Sequence, residues 1–133
     1  MRILLDTNAY TALVRGHPEI AGKVRDAQRV LFSAVVVGEL LAGFRHGTKG
    51  RENRRILGEY LRNPYFENVP VTLETAERFC QVWAALRAKG RRIPTNDLWI
   101  AAQALETGAE LISFDHHYAE VDGLLWTRPT ASL

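Results

Sequence analysis

The sequence is nearly free of cysteine, because Cys80 is the single one among 133 residues. One thiol excludes an internal disulfide framework, and Cys80 lies in a helical pattern between Phe79 and Trp83 without a partnering motif. We therefore expect a buried structural thiol rather than a nucleophile. The sequence also lacks a charged-then-apolar leader and any apolar run of about 18 residues. These absences predict a cytoplasmic protein without a membrane segment.

Charge of one sign is not in large excess either. The chain has 17 Lys and Arg against 15 Asp and Glu, a formal net charge of +2, so the net charge alone says little about partners. A length of 133 residues with 47% apolar composition fits one compact domain with one core. We predict a single domain over residues 1–133 and look for a single functional site.

Short apolar stretches alternate with longer amphipathic ones along the chain. This alternation is typical of strands joined by helical crossovers around a mostly parallel sheet, so we predict an α/β fold. The predicted strands are Ile3 to Leu5, Val30 to Phe32, Phe66 to Val71, Leu111 to Phe114 and Leu124 to Trp126. Helices are predicted over about 33 to 44, 53 to 62, 72 to 90 and 94 to 108. In the last of these, Thr95, Asn96 and Asp97 can satisfy exposed N-terminal amides.

Four acidic residues each adjoin an apolar stretch. Asp6 follows ILL, Glu39 lies within AVVVGELLAG, Asp97 precedes LWIAA and Asp115 follows LISF. Carboxylates attached to core-forming segments lose solvation unless positive charge compensates, so their recurrence predicts a buried anionic site, with a divalent cation as the natural compensator. Asp6 and Asp115 both come directly after predicted strands, where the carboxyl edge of a parallel sheet gathers functional groups.

Each acid also has a purely structural interpretation. Asp6, Asp97 and Asp115 can cap a helix or lie in its first turn, where the helix dipole favours a carboxylate by roughly 0.3 to 1 kcal/mol. Glu39 has no basic residue three or four positions away on its helix, which leaves a tertiary salt bridge as its alternative. The four acids together support a functional site more strongly than any one of them does alone.

Four motifs occur in order along nearly the whole chain. They are LLDTN at 4 to 8, SAVVVGELLAG at 33 to 43, IPTNDLWIAAQA at 93 to 104 and LISFDHHYAEVDGL at 111 to 124. With these motifs at roughly family spacing, the chain resembles the PIN-domain nucleases, and among them the VapC-type toxins of toxin–antitoxin pairs. The resemblance implies a five-stranded parallel sheet flanked by helices and a metal-dependent endoribonuclease that acts as a toxin.

Carried over by motif, the family's acidic quartet falls on Asp6, Glu39, Asp97 and Asp115. Phosphodiester hydrolysis needs an activated water and charge neutralisation on the phosphate and the leaving oxygen, which Mg²⁺ or Mn²⁺ can serve. These hard ions prefer oxygen ligands, and we expect Asp6 and Asp97 to be the principal ones. Glu39 and Asp115 are expected to hold waters of the cation, complete a second ion site or orient the attacking water.

Polar neighbours of the acids are candidates for supporting roles. Asn8 matches the family's polar residue after the first acid, and Asn8, Thr95 and Asn96 can hydrogen-bond the acids, although capping explains them equally well. Many relatives carry a further acid two positions after the last Asp, where this chain has His117. We expect His116 and His117 to face solvent, because no zinc-like spacing of His and Cys accompanies them.

Basic residues form two clusters that could contact RNA phosphates, with a solvated helix face as the alternative. The candidates are Arg45, Lys49, Arg51, Arg87, Arg91 and Arg92. Trp83 and Trp99 could stack on bases, but their apolar helical patterns favour the core or an interface.

The resemblance also implies a homodimer and a small antitoxin partner of the VapB type. A stripe of Ile56, Leu57, Tyr60 and Leu61 could accept an antitoxin helix, and ordinary core packing explains it equally.

Two other functions remain open from the sequence. One is a catalytically weak RNA-binding or regulatory PIN module, and the other is a broader DNA/RNA phosphodiesterase.

Overall fold

Five strands and six helices alternate along residues 1–130, which are the residues that this computed structural model describes. In chain order they are β1 (Ile3–Leu5), α1 (Thr7–Val14), α2 (Pro18–Asp26), β2 (Val30–Ser33), α3 (Ala34–His46), α4 (Gly50–Arg62), β3 (Phe66–Val69), α5 (Leu73–Ala88), α6 (Thr95–Thr107), β4 (Glu110–Ile112) and β5 (Trp126–Thr127). A short 3-10 helix, His116–Glu120, lies between β4 and β5. The prediction of one domain over 1–133 includes residues 131–133, which lie outside the described part, and it stays a prediction.

The strands form one sheet in the order β3-β2-β1-β4-β5, with every neighbouring pair parallel. β1 is the central strand, and its Leu4 pairs with Leu31 of β2 and Leu111 of β4. All three of these leucines are fully buried, as expected for a parallel sheet covered by helices on both faces. The predicted α/β fold is confirmed, and the carboxyl end of β1 points to the middle of one sheet edge.

The core packs the two helices α3 and α6 and an aromatic cluster against this sheet. Tyr10, Phe32, Tyr60 and Phe66 contact one another with ring centroids 5.2 to 6.5 Å apart. The stripe on α4 is therefore partly used in the core, because Leu57 is 1% exposed and Tyr60 belongs to this cluster. Aromatic pairs of this kind add about 0.5 to 1.5 kcal/mol beyond the area that they bury.

A buried amide ties helix α6 to the ends of two strands. Ser33 at the end of β2 donates to Oε1 of Gln103, and Nε2 of Gln103 donates to the Val69 carbonyl at 3.1 Å and the Pro70 carbonyl at 3.3 Å. Ser33 also accepts from the first amides of α3, as the predicted cap should. These bonds fix where α3 and α6 begin relative to the sheet edge.

The boundaries of four strands differ from the predictions. β2 extends one residue further than predicted, to Ser33. β3 ends at Val69 rather than Val71, because Pro70 has no N–H to donate to a ladder. β4 covers Glu110–Ile112 rather than 111 to 114. β5 begins at Trp126 rather than Leu124, after a turn in which Gly123 has a φ of 77°.

The expectation of a buried Cys80 is wrong. Cys80 is exposed on α5, because that helix buries the stripe of Thr75, Val82 and Leu86, and Cys80 lies off it. Trp83 is 44% exposed, with the Arg87 guanidinium 4.7 Å from its ring centroid, so it does not lie in the core, and its predicted alternative place in an interface stays a prediction.

Within residues 1–130, no helix is both long and apolar enough to span a bilayer.

Candidate acidic site at the carboxyl edge of the sheet

Asp6 lies directly after the central strand and caps α1. Its Oδ1 accepts from the Ala9 amide at 2.9 Å, and its Oδ2 accepts from the hydroxyl of Ser113, which follows β4. The side chain is buried, and this desolvation is the main reason that its pKa is raised from 3.8 to about 6, with Asp97 and Asp115 adding repulsion. The structural interpretation, a cap, is thus correct, but the cap does not remove the electrostatic cost of the charge.

Asp97 lies in the first turn of α6 and is half-buried. The N-cap of that helix is Pro94, and no side chain makes a capping bond there, so the expectation that residues 95 to 97 satisfy the first amides is wrong. Burial raises the pKa of Asp97, and the charges of Asp115 and Glu39 raise it further, while His117 and the nearby Tyr118 hydroxyl act in the opposite direction. The carboxylate is free to face the other acids.

Glu39 is held by two neutral donors. The Thr7 hydroxyl donates to its Oε1 at 2.6 Å, and the Asn96 amide donates to its Oε2 at 3.2 Å. Among the described residues Glu39 forms no ion pair, so a tertiary salt bridge does not explain it. Asn96 therefore makes the hydrogen bond to an acid that was expected of it. The hydrogen bond from Thr7 was not predicted from the sequence, although Thr7 lies between Asp6 and Asn8 in the first motif.

Asp115 and His117 approach each other and Asp97 at the start of the 3-10 helix. Nε2 of His117 lies 2.8 Å from Oδ1 of Asp115 and 2.9 Å from Oδ2 of Asp97. The expectation that His117 faces solvent is wrong, because the 3-10 turn after Asp115 brings the second residue back toward the carboxylate. His116 is exposed, as expected. The sequence signal for His117 was its position, where many relatives carry an acid.

The fold brings the four predicted acids to one edge of the sheet. Asp97 is their common neighbour, with electrostatic contacts to Asp6, Glu39 and Asp115. Asn8 and Thr95 are exposed and make no side-chain hydrogen bond within residues 1–130, so the structure does not join them to this group. No lysine or arginine of the described residues pairs with any of the four acids. No lysine or arginine side chain of the described residues therefore compensates the negative charge of these acids.

The donor set fits a divalent cation. One donor atom each from Asp97, Asp115 and His117 lies within 4.8 Å of the others, which suits a common ligand centre. Nε2 of His117 is a buried atom without a hydrogen-bond partner among the described groups. Both oxygens of Asp6 are occupied by hydrogen bonds, so its role as a principal ligand stays a prediction. Carboxylate oxygens with one imidazole nitrogen suit Mg²⁺, Mn²⁺ or a related ion.

The second basic cluster lines a groove near the start of α6. Arg87, Arg91 and Arg92 line a groove of about 400 Å³ together with Trp83, and the groove reaches Thr95, two positions before Asp97. In the first cluster, Lys49 lines a different groove with Tyr10 and Asn53, while Arg45 and Arg51 are exposed. Contact of any of these residues with RNA stays a prediction.

An apolar groove of about 410 Å³ lies at the β2–β3 side of the sheet. Its lining residues are Phe32, Ala34, Val37, Leu61, Asn68, Val69 and Pro70. Leu61 is the member of the predicted α4 stripe that lines this groove, and it also packs against the edge of the core.

Comparison with known proteins places these features in a family. The family model described as the PIN domain matches residues 3–124. Ribonuclease VapC4 of Mycobacterium tuberculosis is 32% identical over 87 residues, 65% of this chain and 67% of that protein. Ribonuclease VapC5 of the same organism is 28% identical over 90% of this chain and 87% of its own length. The solved structure of VapBC-1 from nontypeable Haemophilus influenzae is similar with a TM-score of 0.82 and 26% identity, covering 96% of this chain and 98% of that one.

Proposed function

This chain belongs to the PIN-domain family, and we propose on that premise that it is a metal-dependent endoribonuclease acting as the toxin of a toxin–antitoxin pair. The observation that carries the proposal is the group of carboxylates at the carboxyl edge of the sheet with which no lysine or arginine of the described residues pairs, with raised pKa values at Asp6 and Asp97. Acids with raised pKa values gathered in one place are a mark of catalytic and metal sites. Relatives named ribonuclease VapC, and solved complexes named VapBC, support the activity and the toxin role.

Asp97, Asp115 and His117 would hold the cation. When bound, a divalent cation supplies positive charge that neutralises the scissile phosphate and makes a nearby water more acidic. Asp6 is fixed by Ser113 and by the Ala9 amide, so it adds negative charge at a defined position without moving.

Glu39 is positioned to accept a proton. Thr7 and Asn96 hold its two oxygens but leave acceptor capacity on each, so Glu39 can orient the attacking water and take its proton. The bonds from Thr7 and Asn96 fix the carboxylate orientation without neutralising its charge, which keeps it available as a base.

RNA must approach an acidic site, and the groove of Arg87, Arg91 and Arg92 offers a route. Its guanidinium groups can pair with backbone phosphates, while the groove ends next to the first turn of α6. Arg91 Nε lies 3.7 Å from a Glu120 oxygen, so Arg87 and Arg92 are the less engaged phosphate contacts.

The activity is tested by cleavage of structured and single-stranded RNA with Mg²⁺, Mn²⁺ or excess chelator. We expect the wild type to cleave only with a divalent ion, and Asp97→Asn to lose at least about 100-fold in rate. The control is Asp26→Asn, which removes a carboxylate whose side chain is 79% exposed at the end of α2. Equal cleavage by wild type and Asp97→Asn would contradict the proposal. RNA binding without metal-dependent cleavage would favour the regulatory binding module instead.

We also propose a small VapB-type antitoxin as partner. The apolar groove that Leu61 lines is open at the surface and suits the apolar face of a short helix. In cells, expression of the chain alone should arrest growth, and co-expression of a neighbouring antitoxin should restore it. Arrest that Asp97→Asn also causes would contradict a toxin role based on this site. A homodimer and a cytoplasmic location remain predictions.

A further inference from the structure

His117 has an unusual set of contacts in the acidic site. Its Nε2 is 2.9 Å from an Asp97 oxygen and 2.8 Å from an Asp115 oxygen, yet neither contact has hydrogen-bond geometry. An imidazole carries one N–H at this atom, and a stable ion pair would direct it at one of the two carboxylates. Here both oxygens lie close to the nitrogen and neither accepts a hydrogen bond from it, as for ligand atoms that share a common centre.

The spacing of the three donor atoms has the dimensions of a coordination sphere. Adjacent ligand atoms of a six-coordinate ion with bonds of about 2.1 Å lie about 3.0 Å apart, and opposite ones about 4.2 Å apart. The contacts of His117 Nε2, 2.9 and 2.8 Å, match adjacent ligands. All three donor atoms lie within 4.8 Å of one another, which also admits an opposite pair for the two carboxylates.

We propose that Nε2 of His117 is a direct ligand of the cation, and that with Asp97 and Asp115 it forms a mixed nitrogen–oxygen site that prefers a first-row transition ion to Mg²⁺. This inference rests on the proposed cation-dependent function and assigns the ion that the site selects. Carboxylates alone suit Mg²⁺, whereas an imidazole ligand raises affinity for transition ions and gives little to Mg²⁺.

The experiment measures metal binding directly, without using cleavage. Mn²⁺ is added to the full chain, its binding is followed by loss of the free-ion electron paramagnetic resonance signal, and the bound ion is examined by pulsed methods for coupling to ¹⁴N. Wild type is compared with His117→Asp, which keeps a ligand but removes the imidazole. The control is His116→Asp, because His116 is the exposed neighbour on the same 3-10 turn. Circular dichroism checks that all three are folded.

We expect ¹⁴N coupling in the wild type and in His116→Asp, and its loss in His117→Asp with Mn²⁺ still bound. We also expect the Mg²⁺ concentration that displaces half of the Mn²⁺ to fall by about tenfold in His117→Asp alone. Labelling with ¹⁵N-histidine should replace the ¹⁴N pattern in the wild type.

Mn²⁺ that binds the wild type without nitrogen coupling, or no binding at all, would overturn the proposal. RNA cleavage by the same samples separates this outcome from the function. Metal-dependent cleavage without nitrogen coupling would remove His117 as a ligand and leave the nuclease standing, whereas nitrogen coupling without any cleavage would keep the ligand and remove the nuclease.

Discussion

Single residues at the sheet edge combine structural and electrostatic roles that pull in opposite directions. Asp6 caps α1 and ties it to β4 through Ser113, which stabilises the fold. Its burial, however, makes the charged form costly, and Asp97 and Asp115 add repulsion. A buried carboxylate with this electrostatic cost is typical of functional sites, which trade stability for chemistry.

Asp6→Asn should therefore stabilise the metal-free protein at neutral pH. The folded pKa of about 6 lies above the unfolded value of 3.8, so protonated Asp6 is favoured in the fold at low pH and this advantage disappears as pH rises through 6. Asparagine also caps helices well and avoids the charge. In urea unfolding with chelator, we expect a gain of about 2 to 3 kcal/mol at pH 7 that shrinks toward zero near pH 4.

The matched control for this measurement is Asp26→Asn, at an exposed carboxylate. It should show no pH-dependent gain. Added Mn²⁺ or Mg²⁺ should reduce the gain of Asp6→Asn, because a cation compensates the wild-type charge. A variant less stable than wild type at pH 7 in chelator would show that the hydrogen bonds of Asp6 outweigh its desolvation.

Secondary-structure elements at this edge are held in place by few polar bonds. Gln103 is fully buried on α6, and through its amide α6 is joined to Ser33 at the end of β2 and to the carbonyls of Val69 and Pro70 after β3. Since α3 and α6 carry Glu39 and Asp97, the same amide sets the spacing of two of the acids.

Gln103→Met should destabilise the protein by about 2 kcal/mol, because the similar shape keeps the packing while buried carbonyls and a hydroxyl lose their partner. Urea unfolding at pH 7 measures the change. Gln81→Met on the exposed face of α5 is the control and should change stability by less than about 0.5 kcal/mol. Equal effects of the two variants would show that the buried amide contributes nothing specific.

Elements were easier to predict than contacts between them. The runs ILL and VLF are short, apolar and bounded, so their strands lie where expected. The position of His117 depends on a 3-10 turn and on α6, which is distant in sequence, and no local pattern encodes that contact. Cys80 was misplaced because it lies among apolar residues on α5 but off the stripe that the helix buries. The acids themselves were found because each interrupts or ends an apolar run.

At the scale of the whole molecule, charge is separated over a short distance. Acids that pair with no lysine or arginine of the described residues lie at the sheet edge, and a groove with Arg87, Arg91 and Arg92 reaches the start of α6, the helix that carries Asp97. Arg92 makes no ion pair within residues 1–130, whereas Arg55 on α4 pairs with both Glu52 and Glu59. We therefore expect a polyanion to bind at the groove that contains Arg92 and not at Arg55.

Arg92→Ala should weaken binding of single-stranded RNA and lower the slope of log affinity against log salt concentration by about 0.7, the value for one lost phosphate contact. Binding is measured in Asp97→Asn, which prevents cleavage, across a series of KCl concentrations. Arg55→Ala removes the same side chain where its charge is already neutralised and should leave the slope unchanged. If both variants have the same slope of log affinity against log salt concentration, RNA does not bind along the groove that contains Arg92.

The parallel sheet has a consequence for how the chain folds while it is being synthesised. The central strand β1 is made long before its neighbour β4, which begins at Glu110, and before Ser113, which donates a hydrogen bond to Asp6. A nascent chain on the ribosome must wait for these later residues before the central strand can be paired on both sides, and such long-range pairing is slow. The acidic site can therefore be assembled only after the segment that carries Ser113 and Asp115 has been made.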